Sequence, residues 1–297
     1  MAGFTSSDVA NQKGRTFLIT GSNTGLGFET ARVLAARGGN IILACRSKDK
    51  AEAAMAAIGK ETPKAKLDFV ALDLSDLDAV RAAADVILAG PKIDVLINNA
   101  GVMIPPRTLS AQRFELQFGV NHLGTFALTG LIHRHVTDRI VITASLAHKG
   151  GRIDLSDLGA ERLYLRGPRY QMSKLANLLH MFELDRRLRC SSRTTIATGC
   201  HPGVALTELS RHLPGPMQWL MPLSRPFFNS AEQGAWPTLQ AASWDGAKGG
   251  DYFGPQGLGE ISGRSGYASA TRTARDAAQA SELWERSIEL SGVDPGL

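Results

Sequence analysis

The 297-residue chain has no run of about 18 uninterrupted apolar residues, so a transmembrane helix is not expected. Cysteine is scarce: Cys45, Cys190 and Cys200 show neither a C-x-x-C spacing nor a metal-ligand pattern. An odd, sparse set of thiols argues against a disulfide framework and fits a reducing compartment. Charge of one sign is scarce too, the net charge being +5 with basic residues scattered except for RRLR at 186–189. That run reads as the solvated end of a helix, and nucleic acid is not an expected partner. The N-terminal MAGFTSSDVANQKGR lacks the apolar centre of a signal peptide. Residues 1–13 read as a flexible, partly disordered lead-in, and the cytoplasm is the expected location. Internal repeats and low-complexity segments are missing as well.

What remains is an ordinary globular composition, 43% hydrophobic and 21% charged, long enough for one large domain with a sizeable core. Apolar runs at RTFLIT (15–20), NIILAC (40–45), KLDFVALDL (66–74), IDVLINNAG (93–101), DRIVITAS (138–145) and RTTIATGCHPG (193–203) alternate with helical patterns. The third helical pattern, SDLDAVRAAADVILA, opens on Ser75 as an expected cap. Strictly alternating elements with continuously apolar strands predict an α/β fold: a single doubly wound, Rossmann-type parallel sheet with helices on both faces. The expected domain runs over 14–260, followed by a helical extension at 261–297. The proline-broken, apolar stretch 203–229 is expected either to pack as an extension or to act as a substrate lid at the carboxyl edge of the sheet.

Several residue types capable of chemistry fall at strand ends. TGSNTGLG (20–27) follows the first strand and opens a helix, and its glycines Gly21, Gly25 and Gly27 let the backbone turn and approach an anionic group. The helix N-terminus supplies free N–H donors there. After the second strand, ACRSKDK carries Arg46 and Lys50 where a carboxylate would favour a free ribose hydroxyl; basic residues there favour a 2′-phosphate. Asp73 could accept from an adenine amino group or cap the helix near residue 76. INNAG brings amides and small side chains to the fourth strand end, Asn121 lies inside a helical pattern, and Ser145 ends the fifth strand. Tyr170 and Lys174, in YQMSK, are four apart and so share one helix face. An ammonium beside a phenol can lower the phenol's pKa and make it a proton donor and acceptor near neutrality. Packing and solvation alone would also account for each of these residues taken singly.

TGSNTGLG, NNAG, VNHLG, Ser145, YQMSK and HPG, in this order, resemble the short-chain dehydrogenase/reductase superfamily over about residues 14–255. ITGSNTGLGFETA, ACRSKDKA, LDLSD, LINNAGVM and VNHLGTF resemble its retinol dehydrogenase-like and WW-domain oxidoreductase-like branch, which is related to the light-dependent protochlorophyllide reductases. The resemblance implies a sheet of about seven parallel strands and a catalytic tetrad of Asn121, Ser145, Tyr170 and Lys174. Tyr170 would be the acid/base, with Lys174 holding the nicotinamide ribose and depressing the phenol's pKa. Ser145 would bond the substrate oxygen, and Asn121 would organise a helix carbonyl and a water. NADP(H), preferred over NAD(H), would be held by Gly21, Ser22, Asn23, Thr24, Gly25, Leu26, Gly27, Arg46, Lys50, Asp73, Leu74, Asn98, Ala100, Gly101, Tyr170 and Lys174. Pro202 and Gly203 would pass the nicotinamide, and Thr207 its carboxamide. No metal is required.

The expected reaction is interconversion of an alcohol and a carbonyl on a small hydrophobic substrate. A protochlorophyllide-type double-bond reduction and a non-catalytic NADP(H) sensor are the alternatives. Two departures mark this chain: Ala144 precedes Ser145 where many members have a second serine, and 24 residues separate Ser145 from Tyr170. That longer stretch is expected as a surface extension near the site. The apolar N-terminal anchor of the branch's membrane-bound members and its WW modules are not seen in the sequence. A homodimer and a homotetramer both stay open.

Overall fold

A computed structural model of the chain describes residues 3–204 and 229–297. Thr207 and nearly all of the 203–229 stretch expected to act as a lid therefore lie outside the described residues. Strands β1 (Thr16–Thr20), β2 (Asn40–Cys45), β3 (Leu67–Ala71), β4 (Ile93–Asn98), β5 (Val136–Thr143), β6 (Ile196–Cys200), β7 (Tyr252–Pro255) and β8 (Ser265–Tyr267) form one sheet. Their order is β3-β2-β1-β4-β5-β6-β7-β8. The first seven are parallel, and β8 returns antiparallel along β7. The order reverses direction between β1 and β4, which opens a crevice at the carboxyl ends of those strands.

The continuous apolar runs are explained by burial on both faces. In β1, Phe17 and Ile19 enter one core while Leu18 enters the other, and none of the three is exposed. Successive strand side chains point to opposite faces, so a sheet covered twice needs an apolar residue at every position. Helices α1 (Gly25–Ala36), α2 (Lys48–Glu61) and α7 (Ala231–Ser243) cover the first face. The second is covered by α3 (Leu77–Ala89), α5 (Thr125–Ile132), α6 (Arg166–Cys190) and α8 (Ala277–Ser291). The short α4 (Leu116–Phe118) runs into α5 through a π-helical segment, Gly119–Gly124.

Three expectations are corrected here. The residues read as a disordered lead-in pack on the domain: Phe4 exchanges backbone hydrogen bonds with Ser265, and Phe4 and Val9 are buried. The stretch 261–297 is not helical throughout, because β8 precedes its helix. Ser75 does not cap α3. Asp76 does, accepting from the Asp78 amide, because Ser75 is held by Asp73 through its amide and hydroxyl, at 2.9 and 2.6 Å.

Candidate active site

A cleft of about 520 Å³ runs along the carboxyl ends of β1, β2, β4 and β5. Its floor is the turn from β1 into α1. Gly21 and Gly25 hold left-handed φ angles of 65° and 59°, which side-chain-bearing residues rarely adopt. A Cβ on Gly27 would fall 2.5 Å from both the Gly21 carbonyl oxygen and Asn99 Nδ2. Asn99 locks this turn, its amide donating to the carbonyls of Thr20 and Gly21 at 2.9 and 3.2 Å. Thr24, the residue before α1, makes no side-chain cap bond. The first amides of the helix thus face the cleft with no cap from that residue, a donor set suited to a phosphate.

At one end the cleft is lined by Arg46, Ser47 and Lys50 from the end of β2, with Asp73 and Leu74 beyond β3. Arg46 is largely exposed, and its guanidinium lies 3.9 Å from the Asp73 carboxylate. Asp73 Oδ1 is committed to Ser75, so only its second oxygen faces the arginine.

At the other end stand Thr143, Ala144, Tyr170 and Lys174. Tyr170 and Lys174 lie one turn apart on α6, with the ammonium 5.9 Å from the centre of the phenol ring. Lys174 is buried, and its Nζ donates to the Thr143 carbonyl at 3.2 Å. Burial pushes its pKa down from the ordinary value to about 8. Burial likewise raises the Tyr170 phenol, and the nearby Ser145 side chain works the other way. Burial sets the direction of this phenol's shift, and the depression expected from Lys174 is not seen.

Asn121 sits in the π segment, fully buried. Its Oδ1 accepts from the Val102 amide at 2.7 Å, while its Nδ2 donates to the Val102 carbonyl and the Ser173 hydroxyl, both at 2.9 Å. Ser173 in turn donates to the Tyr170 carbonyl at 2.8 Å. Asn121 therefore joins the loop after β4 to the tyrosine's own helical turn. A Cβ on Gly101 would lie 3.1 Å from Asn121 Oδ1 and 3.4 Å from Lys174 Nζ, so the chain passes there with no room to spare.

Most residues expected around the cleft do line it: Gly21, Asn23, Thr24, Gly25, Leu26, Gly27, Arg46, Lys50, Asp73, Leu74, Ala100, Gly101, Tyr170, Lys174 and Pro202. Three do not. Ser22 is buried with its hydroxyl donated to the Ile19 carbonyl, and Asn98 points inward to Thr129. Gly203, at φ 70°, turns toward the Ile261 carbonyl, which a Cβ would meet at 2.2 Å. The amide at the cleft is Asn99, one residue beyond Asn98 and on the opposite side of the strand. Met103, Pro105 and Leu116 were missed; apolar loop residues carry no signal that separates a cleft wall from a core. The insertion before α6 supports that wall, because Tyr164 donates to the Pro105 carbonyl at 2.7 Å and Arg169 pairs with Asp157 at 3.0 Å. Tyr164 is thereby a bracing residue.

Residues 15–214 match the short chain dehydrogenase family. The chain belongs to the short-chain dehydrogenases/reductases. It is 40% identical over 290 residues to human retinol dehydrogenase 12, spanning 94% of this chain and 87% of that protein. Human retinol dehydrogenase 13 is 41% identical over 300 residues, spanning 95% and 86%. The crystal structure of an uncharacterized protein from Mycobacterium paratuberculosis superposes with a TM-score of 0.84 at 39% identity, covering 99% of this chain and all of that one. Membership makes this short-chain dehydrogenase/reductase an oxidoreductase with an NAD(P)-binding fold. No helix among its described residues is long and apolar enough to cross a membrane.

Proposed function

We propose that this enzyme uses NADP(H), in preference to NAD(H), to interconvert an alcohol and a carbonyl on a small hydrophobic substrate. The observation that carries the reading is Tyr170, with the Ser145 side chain near it and a buried Lys174 one helical turn away, at the end of the cleft opposite Arg46 and Lys50. The glycine turn fits a dinucleotide: Gly21, Gly25 and Gly27 line the cleft without side chains, and the start of α1 offers amide donors. Arg46 and Lys50 would hold a 2′-phosphate, and Lys174 the nicotinamide ribose. When bound, the cofactor supplies the hydride.

The protein's own part is to hold and move a proton. A phenol raised above its ordinary value stays protonated at neutral pH, the form that reduction requires. Tyr170 gives that proton to the oxygen of the carbonyl being reduced, and takes one from an alcohol in the reverse direction. Ser145 donates a hydrogen bond to the same oxygen, where negative charge develops. Lys174 places a positive charge beside the phenolate that remains. Asn121 fixes the tyrosine's turn against the loop after β4. Met103, Pro105, Leu116 and Val120 give the cleft an apolar wall, which favours a hydrophobic substrate. The names of the retinol dehydrogenases among its relatives accord with an alcohol as substrate.

Titration of the purified protein with NADPH and NADH by nicotinamide fluorescence tests the cofactor. NADPH should bind more tightly, and Arg46→Ala should bring it toward the NADH value. A panel of hydrophobic aldehydes and alcohols, with Tyr170→Phe as control, then tests the reaction. Nucleotide binding without turnover on the panel would sink the carbonyl reading and favour a sensor.

A further inference from the structure

Resting on the cofactor reading above, we infer that Glu260 is a positioning residue: acting through His201, it fixes the Pro202–Gly203 turn that walls the nicotinamide end of the cleft. Pro202 lines the cleft beside Tyr170 and Lys174, and His201 directly precedes it at the end of β6. His201 is completely buried. The Gly203 amide donates to His201 Nδ1 at 3.1 Å, so in the neutral ring the proton sits on Nε2. That nitrogen lies 3.2 Å from Glu260 Oε2 and donates to it. The carboxylate thus selects the ring tautomer that can accept from the turn, as a carboxylate orients a histidine elsewhere.

Two more observations converge on Glu260. Its Oε1 accepts from the Ser269 amide at 2.9 Å, and Lys149 Nζ lies 3.3 Å from Oε2, on the short helix that Ser145 caps. All three partners are donors. A glutamine would have to turn its NH2 group against one of them, so only an acceptor-only side chain satisfies the whole set. Glu260 also holds a left-handed φ of 59°, an uncommon conformation for a residue with a side chain. The ring has a made-to-measure seat, since a Cβ on Gly254 would fall 2.1 Å from His201 Nε2. Interaction with His201 and the Ser269 amide draws the Glu260 pKa down to about 2, so the carboxylate stays ionised throughout the working range. The other titratable groups facing this carboxylate are Lys149, His148 and Tyr252. The turn is held from its far side as well, where Asn229 donates to the Pro202 carbonyl at 3.1 Å.

The test compares wild type with Glu260→Gln, and with Glu260→Gly in case the first does not fold; glycine relaxes the left-handed backbone while removing the carboxylate. In nucleotide-free protein, amide hydrogen exchange over residues 201–204 should be about tenfold faster in the variants. The dissociation constant for NADPH should rise about tenfold, whereas that for 2′,5′-ADP, which lacks the nicotinamide, should change by less than about twofold. On any aldehyde turned over, kcat should fall about tenfold with little change in the aldehyde KM. Unchanged exchange at 201–204 together with wild-type NADPH affinity would overturn the assignment. Equal weakening of NADPH and 2′,5′-ADP would also overturn it, as that is general destabilisation. If wild type binds neither nucleotide, the cofactor reading falls by itself, and the exchange measurement still decides whether Glu260 holds the turn.

Discussion

The two ends of the cleft are built on different physical terms. At the end lined by Arg46 and Lys50, the working groups are exposed charges, and Arg46 has 78% of its side chain in solvent. At the Tyr170 end, the working groups are desolvated and held by hydrogen bonds to their surroundings: Lys174 by Thr143, Asn121 by Val102 and Ser173. An exposed charge costs little to keep and contributes little that salt cannot screen. A buried one is costly to keep, yet it acts in a medium where its field is strong and its geometry fixed. The chain thus spends its stability at the reacting end and leaves the recognising end adjustable.

Four substitutions and titrations bear on this contrast. The largest effect belongs to Tyr170→Phe, which should lower kcat about 10³-fold while leaving NADPH affinity within about threefold of wild type. A loss of binding of the same size would show that the two ends are not separable. Next, Asn121→Ala should lower stability by about 1–2 kcal/mol in urea unfolding, because it removes the partner of the half-buried Val102 amide and carbonyl. Arg46→Ala should cost nothing measurable in stability and about tenfold in NADPH affinity, with NADH unaffected and the difference shrinking as salt rises. An NADPH preference that survives high salt would break the comparison, as it would mean the phosphate is read by buried groups.

The smallest effect concerns Lys174, whose pKa is pushed down from 10.5 to about 8. Between those values the unfolded chain binds more protons than the folded one, so this residue's contribution makes stability rise with pH. The penalty is present in full below pH 8 and is relieved as pH climbs past it. The raised thiols of Cys45 and Cys200 work in the opposite sense above pH 9 and the raised phenol of Tyr170 above pH 10, which leaves pH 8 to 9 as the window to measure. Unfolding curves at the two limits should show a rise in wild type that Lys174→Met lacks. An equal rise in the variant would mean that the lysine is not desolvated.

The same contrast governs what was readable in the sequence. The parallel sheet was legible because burial on both faces writes a long apolar run into each strand, and β2 matches its run residue for residue. The glycine turn and the Tyr170–Lys174 pair were legible because backbone conformation and helical spacing restrict residue type locally. β8 was not, since its three residues, Ser-Gly-Tyr, form no apolar run and their place depends on a return from β7. Nor was the bridge from Phe4 to Ser265, which joins the N-terminal segment to the last strand. Which of Asn98 and Asn99 faces the cleft was not legible, because neighbouring positions at a strand end point to opposite sides and two asparagines look alike in a string of letters. The direction of the tyrosine's pKa shift was misjudged for a related reason. Spacing gives the distance to a lysine, whereas desolvation depends on everything folded around it.

The π-helical segment that carries Asn121 has one further consequence. A wide turn of this kind is an ordinary helix with one residue too many, held here where Gly124 lets the backbone pass the Leu74 carbonyl. Deleting Val120 would let α4 and α5 join as one regular helix, rotating the residues before the deletion by about 100° relative to those after it. Reading frame along the helix, and not residue identity alone, decides whether the asparagine meets its loop. In this stretch the insertion or loss of a single codon could remake the site more thoroughly than most substitutions.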